Sequence, residues 1–242
     1  PDIPKTLNMR HYSTVLLAGL FAAGAVLAQD YSFLSIGDWG GAQISEQDSN
    51  NVYAVSAQMA ATAASSQAKF IINTGDNFYW CGIQNTTDPQ ISVDFEKPYA
   101  ALDLDWYNAL GNHEYGYNVQ AQIDYNKLNP RWIMPNRYYT QRLPLGTSGK
   151  FMTLLFIDTS PCVSDYRNDN SEYWDPCSDQ YPTCSQINSD NDDFEGPCKF
   201  HENIVAQSCT VQYNWLQATL FGIPTEDWLG GGGHHPLDEG NG

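Results

Sequence analysis

The chain has 242 residues, which is enough for one large domain or two small ones. Its hydrophobic fraction of 42% and its aromatic fraction of 13% are ordinary for a globular protein. Its charge is unusual, because 28 acidic residues against 11 basic ones give a formal net charge of −17. Such a surface repels phosphate, so we predict that nucleic acid is not a partner.

The N-terminal segment has the features of a secretory signal peptide. From Met9 the sequence reads MRHYSTVLLAGLFAAGAVLA, and Val26 and Ala28 occupy the small-residue positions of a cleavage site. The apolar run is too short to span a membrane stably, so we predict no stable membrane anchor. We therefore predict a non-native leader at 1–8, a signal peptide at 9–28 and a secreted domain at 29–242. The alternative for the apolar run is a buried N-terminal helix.

The cysteines indicate an oxidising compartment. An even number of them follows the signal peptide, which predicts disulfides in an exported chain. Their spacing contains no Cys-x-x-Cys and so disfavours a zinc finger, while the pairing stays open. The cysteines are Cys81, Cys162, Cys177, Cys184, Cys198 and Cys209. Asn85 begins an Asn-Thr-Thr glycosylation acceptor, which also fits a secreted glycoprotein.

Apolar runs and helix-like segments alternate along the first half of the mature chain. The runs YSFLSI, KFIIN and DWYNAL each precede a glycine-containing turn and predict buried strands. Residues 51–68 are alanine-rich, with apolar residues at helical spacing, and predict a long helix. Residues 92–102 begin like a helix that Pro98 interrupts, and residues 118–128 predict the next helix.

The second half continues this order after one unusual segment. Residues 136–143 and 150–160 predict two more strands, and 209–222 predicts a helix with Val211, Trp215, Leu216 and Leu220 on one face. The segment 163–208 is acidic and cysteine-rich and lacks apolar periodicity, so we predict a disulfide-pinned surface insertion. Strand, glycine turn and helix in repetition predict an α/β fold with helices outside a sheet.

Three of the predicted strands end in the same way. The segments GDWG at 37–40, GDNFY at 75–79 and GNHE at 111–114 each place an oxygen-bearing side chain directly after a glycine. These side chains belong to Asp38, Asp76 and Asn112. Because the carboxyl ends of strands in α/β sheets bring successive loops together, the three oxygens can meet in space. Two carboxylates and an amide are hard ligands that suit divalent or trivalent metal ions.

Each motif taken alone also has a structural interpretation. A Gly-Asp pair after a strand is common in turns and at helix N-caps. His113 by itself suits a structural histidine. Asp158 follows an apolar strand without a flanking glycine, and we interpret it as structural. The metal-site hypothesis therefore depends on the ordered set of three motifs at equivalent places.

That ordered set resembles the metallophosphoesterase superfamily, and Tyr79 in GDNFY narrows the resemblance to the purple acid phosphatases, closest to their small, tartrate-resistant type. Residues 106–139 are similar to the family's stretch around the third motif, and residues 213–220 to its last helix before the fourth. The resemblance runs from residue 31 to residue 236. It implies an α/β fold in which a β-sandwich is flanked by helices (αββα).

The resemblance also implies a role for each matching residue. Asp38 and Tyr79 would bind a ferric ion, Asp76 would bridge two metals, and Asn112 would bind a divalent ion of iron, zinc or manganese. His113 would lie outside the metal shell and stabilise or protonate the leaving group. In such a dinuclear centre a metal-bound hydroxide attacks phosphorus while both ions neutralise the phosphate oxygens. The implied substrates are small phosphate esters or phosphoproteins.

The C-terminal segment LGGGGHHPLDEGNG matches the family only in part. His234 matches the divalent-metal ligand of the fourth motif, Val-x-x-His, but Gly231 replaces the valine. Because four glycines offer no side chains to pack, we expect the strand before His234 to be nearly absent. The family's Gly-His-x-His motif is missing. Neither His235, whose side chain should point away from that of His234, nor His201, in the acidic insertion, is a convincing substitute.

The sequence thus supports one main hypothesis and two rivals. The main one is a secreted acid phosphatase that hydrolyses phosphate monoesters, whose chain is truncated and impaired because it lacks the C-terminal strands of the second sheet. We expect such a chain to expose apolar surface and an open sheet edge. The alternative to truncation is a real chain that binds metal poorly. The rival functions are a metallophosphoesterase for diesters or nucleotides, and a non-catalytic secreted binding protein on the same scaffold.

Overall fold

Two β-sheets form the frame of the protein in a computed structural model, which describes residues 31–168, 174–177, 184 and 198–236. The first sheet is parallel, with strands in the order β1-β2-β3-β4. They are β1 (Leu34–Ile36), β2 (Phe70–Asn73), β3 (Asp105–Asn108) and β4 (Trp132–Ile133). Ile36 pairs with Asn73, and Asn73 pairs with Asn108. The carboxyl ends of the first three strands are therefore level, and their following loops meet at one edge.

The second sheet faces the first. Its strands β5 (Tyr139–Pro144) and β6 (Phe151–Phe156) are antiparallel, and β7 (Trp228–Gly232) runs parallel to β6. Alternate residues of β2 and β6 point into the space between the sheets. The buried cluster there consists of Phe70, Tyr107, Ala109, Tyr139, Leu154 and Phe156. The predicted α/β class with a β-sandwich is confirmed.

A larger core lies on the other face of the parallel sheet. Its centre is the Trp39 ring, which lies 5.4–6.3 Å from the rings of five aromatic neighbours, namely Phe78, Phe95, Tyr99, Trp106 and Trp132. Mainly edge-to-face contacts at this spacing suit the quadrupoles of aromatic rings. This core holds in place the loop that begins with Gly37 and Asp38.

The helices predicted from the sequence are present, and some of them differ in length from the prediction. They are α1 (Glu46–Ser66), α2 (Val119–Tyr125), α3 (Phe200–Val205) and α4 (Cys209–Gly222). Helix α1 begins five residues before the predicted start because Ser45 Oγ accepts a hydrogen bond from Asp48 N at 3.1 Å, as an N-cap does. Ile91–Glu96 forms a π-helical turn just before Pro98. The sequence patterns predicted neither β4 nor α3.

The prediction that the strand before His234 is nearly absent is wrong. The five residues of β7 pair with β6 in register, from Trp228 opposite Met152 to Gly232 opposite Phe156. Ladder hydrogen bonds use only backbone groups, so a run of glycines can pair along a strand that is already in place. What the glycines lack is side-chain packing, since a Cβ at Gly231 would have no neighbour within 4 Å.

The cysteine-rich insertion is less loop-like than predicted. Its described parts include short 3₁₀ turns, one at Asp165–Arg167, and helix α3, whose Phe200 and Ile204 are buried in the larger core. The expected disulfides are present and pair Cys81 with Cys184, Cys162 with Cys209, and Cys177 with Cys198. The predicted leader and signal peptide, and most of residues 169–197, lie outside the described ranges.

Helix α4 and strand β7 leave apolar side chains exposed. Helix α4 forms as predicted, but Val211 and Leu220 on its predicted face are exposed, as is Phe221. Trp228 and Leu229 of β7 are exposed as well. The sequence analysis expected exposed apolar surface without locating it, and the structure shows such surface on α4 and β7. Across the part of the chain that the structure describes, no helix combines the length and apolarity needed to cross a membrane.

Candidate metal centre

Two aspartates occupy equivalent, unusual backbone positions at the edge of the parallel sheet. Asp38 follows β1 with a φ of 56°, and Asp76 follows β2 with a φ of 52°. Asp38 N donates a hydrogen bond to Gly75 O at 2.9 Å, which joins the two loops. Aspartate tolerates this left-handed region better than most residues, and such strain is concentrated at functional sites. The two Gly-Asp motifs therefore act as a pair.

These loops bring together four of the five predicted metal ligands. One donor atom each of Asp38, Asp76 and His234 lies within 4.8 Å of the other two. His234 Nε2 lies 3.3 Å from Asp76 Oδ2. The Tyr79 hydroxyl lies 3.2 Å from Asp38 Oδ1 and 3.2 Å from Asp76 Oδ2. Asp76 is the common neighbour, as a bridging ligand would be.

Asn112, the fifth predicted ligand, is buried directly beside this cluster. A Cβ at Gly111 would lie 2.0 Å from Asp76 Oδ1, so only glycine permits this approach of the third loop. On the other side of Asn112, His113 N donates to Asp76 Oδ1 at 3.1 Å. The third motif therefore meets the first two, as predicted from the level strand ends.

His113 lies at the margin of the donor cluster. Its Nε2 is 3.8 Å from Asp76 Oδ2, and its Nδ1 lies 2.6 Å from the carbonyl oxygen of Trp80. Because a carbonyl oxygen only accepts, Nδ1 carries a hydrogen, and Nε2 is left to hold or release a proton towards the site. The ring contacts the rings of Tyr79 and Trp174, at centroid distances of 4.5 and 4.9 Å. Burial lowers the pKa of His113, although the nearby Asp76 carboxylate opposes this.

Glu114 is a site residue that the sequence analysis missed. It is fully buried beneath the cluster, and its carboxylate accepts hydrogen bonds from the backbone N–H groups of Gly111, Asp76, Asn77 and Phe78. Burial and the charge of Asp76 raise the pKa of Glu114 to about 7, against the lowering effect of these N–H donors. Its place directly after His113 in GNHE was the one sequence signal available.

Below the loops, side-chain amides fix the ends of the strands. Trp39 Nε1 donates to Asn73 Oδ1 at 3.0 Å, and Asn73 Nδ2 donates to Asn77 Oδ1 at 2.6 Å and to Asn108 Oδ1 at 2.8 Å. Asn77 Nδ2 continues the network to Gln122 Oε1 at 2.9 Å. These bonds link the ends of the strands to the loops above them, and Gln122 Nε2 is the one amide nitrogen among these residues that has no partner in the described part of the chain.

The electrostatics of the cluster suit a cation. Burial would raise the pKa of Asp76, but the hydrogen bond with His234 and the charges of His113 and His234 lower it. Burial lowers the pKa of His234, and Asp76 raises it more strongly, to about 9. Burial and the carboxylates of Asp76 and Asp38 raise the pKa of the Tyr79 phenol. Carboxylate, phenol and imidazole donors around one point therefore fit a first-row metal ion.

The remaining histidine and aspartate candidates lie apart from this cluster. His235 contacts Thr159 Oγ1 at 2.8 Å through Nδ1 and the Tyr166 hydroxyl at 3.3 Å through Nε2. His201 Nδ1 lies 3.3 Å from Tyr166 O. The two adjacent histidines therefore contact different partners, as expected for neighbours in an extended segment.

Asp158 has the structural surroundings that its sequence context predicted. It is fully buried, accepts a hydrogen bond from the Tyr115 hydroxyl and pairs with Arg137 Nη1 at 2.7 Å. Burial raises the pKa of Asp158 to about 6, against the lowering effects of Tyr115 and Arg137. This pair joins β6 to the segment before β5.

The facing sheets and the donor cluster at the edge of the parallel sheet define a metallophosphoesterase. The family model of the calcineurin-like phosphoesterases matches residues 31–242, and the chain belongs to that family. It is 32% identical to tartrate-resistant acid phosphatase type 5 of Rattus norvegicus over 148 residues, which is 60% of this chain and 45% of that protein.

Other relatives include acid phosphatases of plants. The chain is 34% identical to purple acid phosphatase 3 of Arabidopsis thaliana over 139 residues, which is 56% of this chain and 35% of that protein. These matches span less than half the length of the relatives. A solved structure titled "GAP50 the anchor in the inner membrane complex of Plasmodium" aligns with a TM-score of 0.44 and 20% identity, over 64% of this chain and 48% of that one.

Proposed function

We propose that the protein is a metal-dependent acid phosphatase that hydrolyses phosphate monoesters. One observation carries the proposal: the ends of three parallel strands and of β7 bring Asp38, Asp76, Tyr79 and His234 to one point, with Asn112 beside it. The names of the relatives support it, since several of them are acid phosphatases.

The donor set suggests how two metal ions would be held. Asp38 and Tyr79 offer hard, anionic oxygens suited to a ferric ion, and Asn112 and His234 suit a divalent ion of iron, zinc or manganese. Asp76, which neighbours both sets, would be shared. When bound, the ions would supply Lewis acidity to the attacking water and to the phosphate oxygens.

In this proposal the residues around the cluster orient the ester and transfer a proton to the departing alcohol. In its protonated form, with hydrogens on both ring nitrogens, His113 would donate the Nε2 proton to the ester oxygen of the departing alcohol and become neutral, while Nδ1 stays bonded to the Trp80 carbonyl. Glu114 would act as a positioning residue, because its carboxylate fixes the backbone at Asp76 and Gly111. The rings of Tyr79 and Trp174 would hold the His113 imidazole in place.

The ligand set of this chain is incomplete relative to the family pattern. The sequence has no Gly-His-x-His motif, and His201 and His235 contact other partners. We therefore propose that the donor set described here, without a further histidine pair, holds its metal ions weakly.

We also propose that the protein is secreted and acts on small phosphate esters or phosphoproteins. The three disulfides fit an oxidising compartment, and the glycosylation acceptor Asn85 is exposed. The net charge of −17 supports small or protein substrates over nucleic acid.

The decisive experiment compares two aspartate variants of the chain loaded with iron and zinc. Asp76→Ala should abolish bound metal, the visible tyrosinate–iron absorption and p-nitrophenyl phosphate turnover. Asp124→Ala, which removes a partly exposed carboxylate that contacts Lys127 Nζ at 2.8 Å and Gln120 Nε2 at 3.3 Å, far from the metal site in sequence and on helix α2, should change none of them. Full activity and metal content in Asp76→Ala would refute the site.

His113 has a separate test. His113→Ala should slow glycerol phosphate, whose alkoxide leaves poorly without a proton, more than p-nitrophenyl phosphate, whose phenolate leaves well. An equal effect on both substrates would contradict the proton role. Faster turnover of bis(p-nitrophenyl) phosphate than of the monoester would favour a diesterase instead.

A further inference from the structure

A cavity of about 370 Å³ opens beside the candidate metal centre, between the loop after β1 and the first half of α1. Its walls come from the metal site on one side and from that loop and helix on the other. They include Asp38, Tyr79, Trp80, Ile44, Val52 and Val55. This volume is at the small end of ligand pockets and suits one or two rings. We call it the α1 cavity.

The charge of the α1 cavity selects against anions. Of its lining residues, all of which lie in described parts of the chain, Asp38 and Asp48 are acidic and none is basic. Asp48 Oδ2 accepts a hydrogen bond from Ser45 Oγ at 2.6 Å, which holds this carboxylate in place at the cavity wall. In the metal-free chain an additional anionic group in the cavity would meet these carboxylates without a counter-charge, whereas a neutral ring would meet mainly apolar walls.

The cavity wall also contains a polar atom that needs a partner. Tyr99 lines the cavity and is only 1% exposed, and its hydroxyl makes no hydrogen bond to any described residue. A buried hydroxyl without a partner is unfavourable. A ligand oxygen that reached Tyr99 would satisfy it, so this wall points to a ligand with a polar substituent.

Trp80 connects the cavity to the proposed chemistry. Its ring lines the cavity and lies 5.9 Å from the His113 ring, and its carbonyl oxygen holds His113 Nδ1 at 2.6 Å. Tyr79, which also lines the cavity, has its hydroxyl 3.2 Å from both aspartates of the site. The alcohol portion of an ester bound at the site, next to His113, therefore lies within reach of the cavity.

We propose that the α1 cavity binds the alcohol portion of the phosphate ester and selects neutral aromatic alcohols. In this arrangement Val52, Val55 and Trp80 contact the ring, and the Tyr99 hydroxyl contacts an oxygen on its far side. The inference rests on the proposed phosphatase function for its consequence in catalysis, but binding of the ring itself is independent of turnover.

The first test measures binding without turnover. 2-Naphthol, the probe, should give saturation-transfer NMR signals with the unaltered, metal-free chain, and the anionic 2-naphthalenesulfonate should bind at least about tenfold more weakly. Val55→Trp, at a half-exposed position that tolerates a larger side chain, should abolish the 2-naphthol signal by filling the cavity. Ala54→Trp, on the same helix but outside the cavity, should leave it unchanged. Equal signals from both variants would overturn the proposal.

A second variant tests the polar wall. Tyr99→Phe keeps the ring in the aromatic core and removes only the hydroxyl. It should weaken the binding of 2,6-dihydroxynaphthalene more than that of naphthalene. An equal effect on both ligands would overturn the assigned role of Tyr99.

Kinetics separate this inference from the proposed function. In the metal-loaded chain, Val55→Trp should lower kcat/KM for 2-naphthyl phosphate about tenfold, as expected for loss of a buried ring, and leave that for glycerol phosphate unchanged. If 2-naphthol binds in a Val55-dependent way but no ester is hydrolysed, the cavity stands and the phosphatase function fails. If both esters are hydrolysed equally well by Val55→Trp and Ala54→Trp, the function stands and the cavity's role fails.

Discussion

Replacing Glu114 by glutamine should destabilise the protein more than any other single-atom change near the site. Its Oε1 accepts from Asn77 N at 2.7 Å and Phe78 N at 3.2 Å, and its Oε2 accepts from Gly111 N at 2.6 Å and Asp76 N at 3.1 Å. Glutamine keeps one acceptor oxygen and turns an NH₂ group towards the other pair of N–H donors. Two buried N–H groups thereby lose their acceptor.

The size of the effect follows from those two groups. Each buried donor left without a partner costs about 1–3 kcal/mol, so Glu114→Gln should lower the free energy of unfolding by about 2–6 kcal/mol. A typical domain has about 5–15 kcal/mol in total. The variant should therefore be marginally stable, and the loops that carry Asp76 and Gly111 should be displaced.

Urea unfolding followed by far-UV circular dichroism measures this loss directly. Glu96→Gln is the matched control, because Glu96 is exposed and accepts one hydrogen bond, from the Tyr125 hydroxyl at 2.8 Å, which a glutamine oxygen can still accept. It should change the unfolding free energy by less than about 0.5 kcal/mol. If Glu114→Gln unfolds at the same urea concentration as the control, the carboxylate does not hold the loops as described.

Three further predictions concern other parts of the fold. Gly231→Val should raise the thermal midpoint, because its Cβ meets no atom within 4 Å and loss of glycine's unfolded-state freedom is worth about 0.4–1 kcal/mol. Gly230→Val should raise the thermal midpoint less, because its Cβ would lie 2.9 Å from a Leu154 methyl group. A larger rise for Gly230→Val than for Gly231→Val would contradict the strand geometry. Burial raises the pKa of Asp94 to about 7, so the folded state prefers the protonated acid, and this stability is present below about pH 4 and lost as the pH rises through about 7. The free energy of unfolding of Asp94→Asn, measured in urea, should therefore increase relative to that of the unaltered protein as the pH is raised from about 5 to 7, by up to about 1.4 kcal/mol per pH unit. A difference between the two proteins that does not change with pH would refute this. Arg137→Met should cost about 3–5 kcal/mol in the same assay, because it leaves the buried Asp158 without its cation, whereas an unchanged midpoint would show that the pair is dispensable.

The meeting of the three Gly-containing motifs was predictable because the information for it is local. In each motif the glycine and the oxygen-bearing residue are adjacent in sequence, and the carboxyl ends of parallel strands are brought to one edge by the topology alone. Asp38, Asp76 and Asn112 could therefore be placed together before any contact was known. The positive φ of both aspartates extends the same rule to the backbone.

The role of Glu114 was not predicted from the sequence, because it is defined by partners that are distant along the chain. Three of its four hydrogen-bond donors lie 36–38 residues away. A buried acid that accepts only backbone N–H groups has no partner side chain to complete a recognisable pattern. Its adjacency to His113 was visible, but its function was not.

Strand β7 and helix α3 were not predicted from the sequence for a different reason. Glycine has a low strand propensity, and the acidic insertion has no apolar period, so local rules argue against both elements. In each case tertiary contact decided the outcome. β6 supplies a complete ladder for β7, and the core receives Phe200 and Ile204 of α3. Helix α4 shows the converse, since its predicted face exists but Val211 and Leu220 remain exposed.

The glycine strand ties the affinity of the site to a conformational equilibrium. His234 lies two residues beyond the end of β7, whose Gly230, Gly231 and Gly232 have much backbone freedom to lose when they pair with β6. A ligand that requires His234 in place binds only the paired state, so its apparent dissociation constant equals the intrinsic one divided by the fraction of paired strand. Hydrogen exchange at residues 228–232 would therefore report occupancy of the site, and substitutions that stiffen the strand would tighten binding without touching a ligand atom.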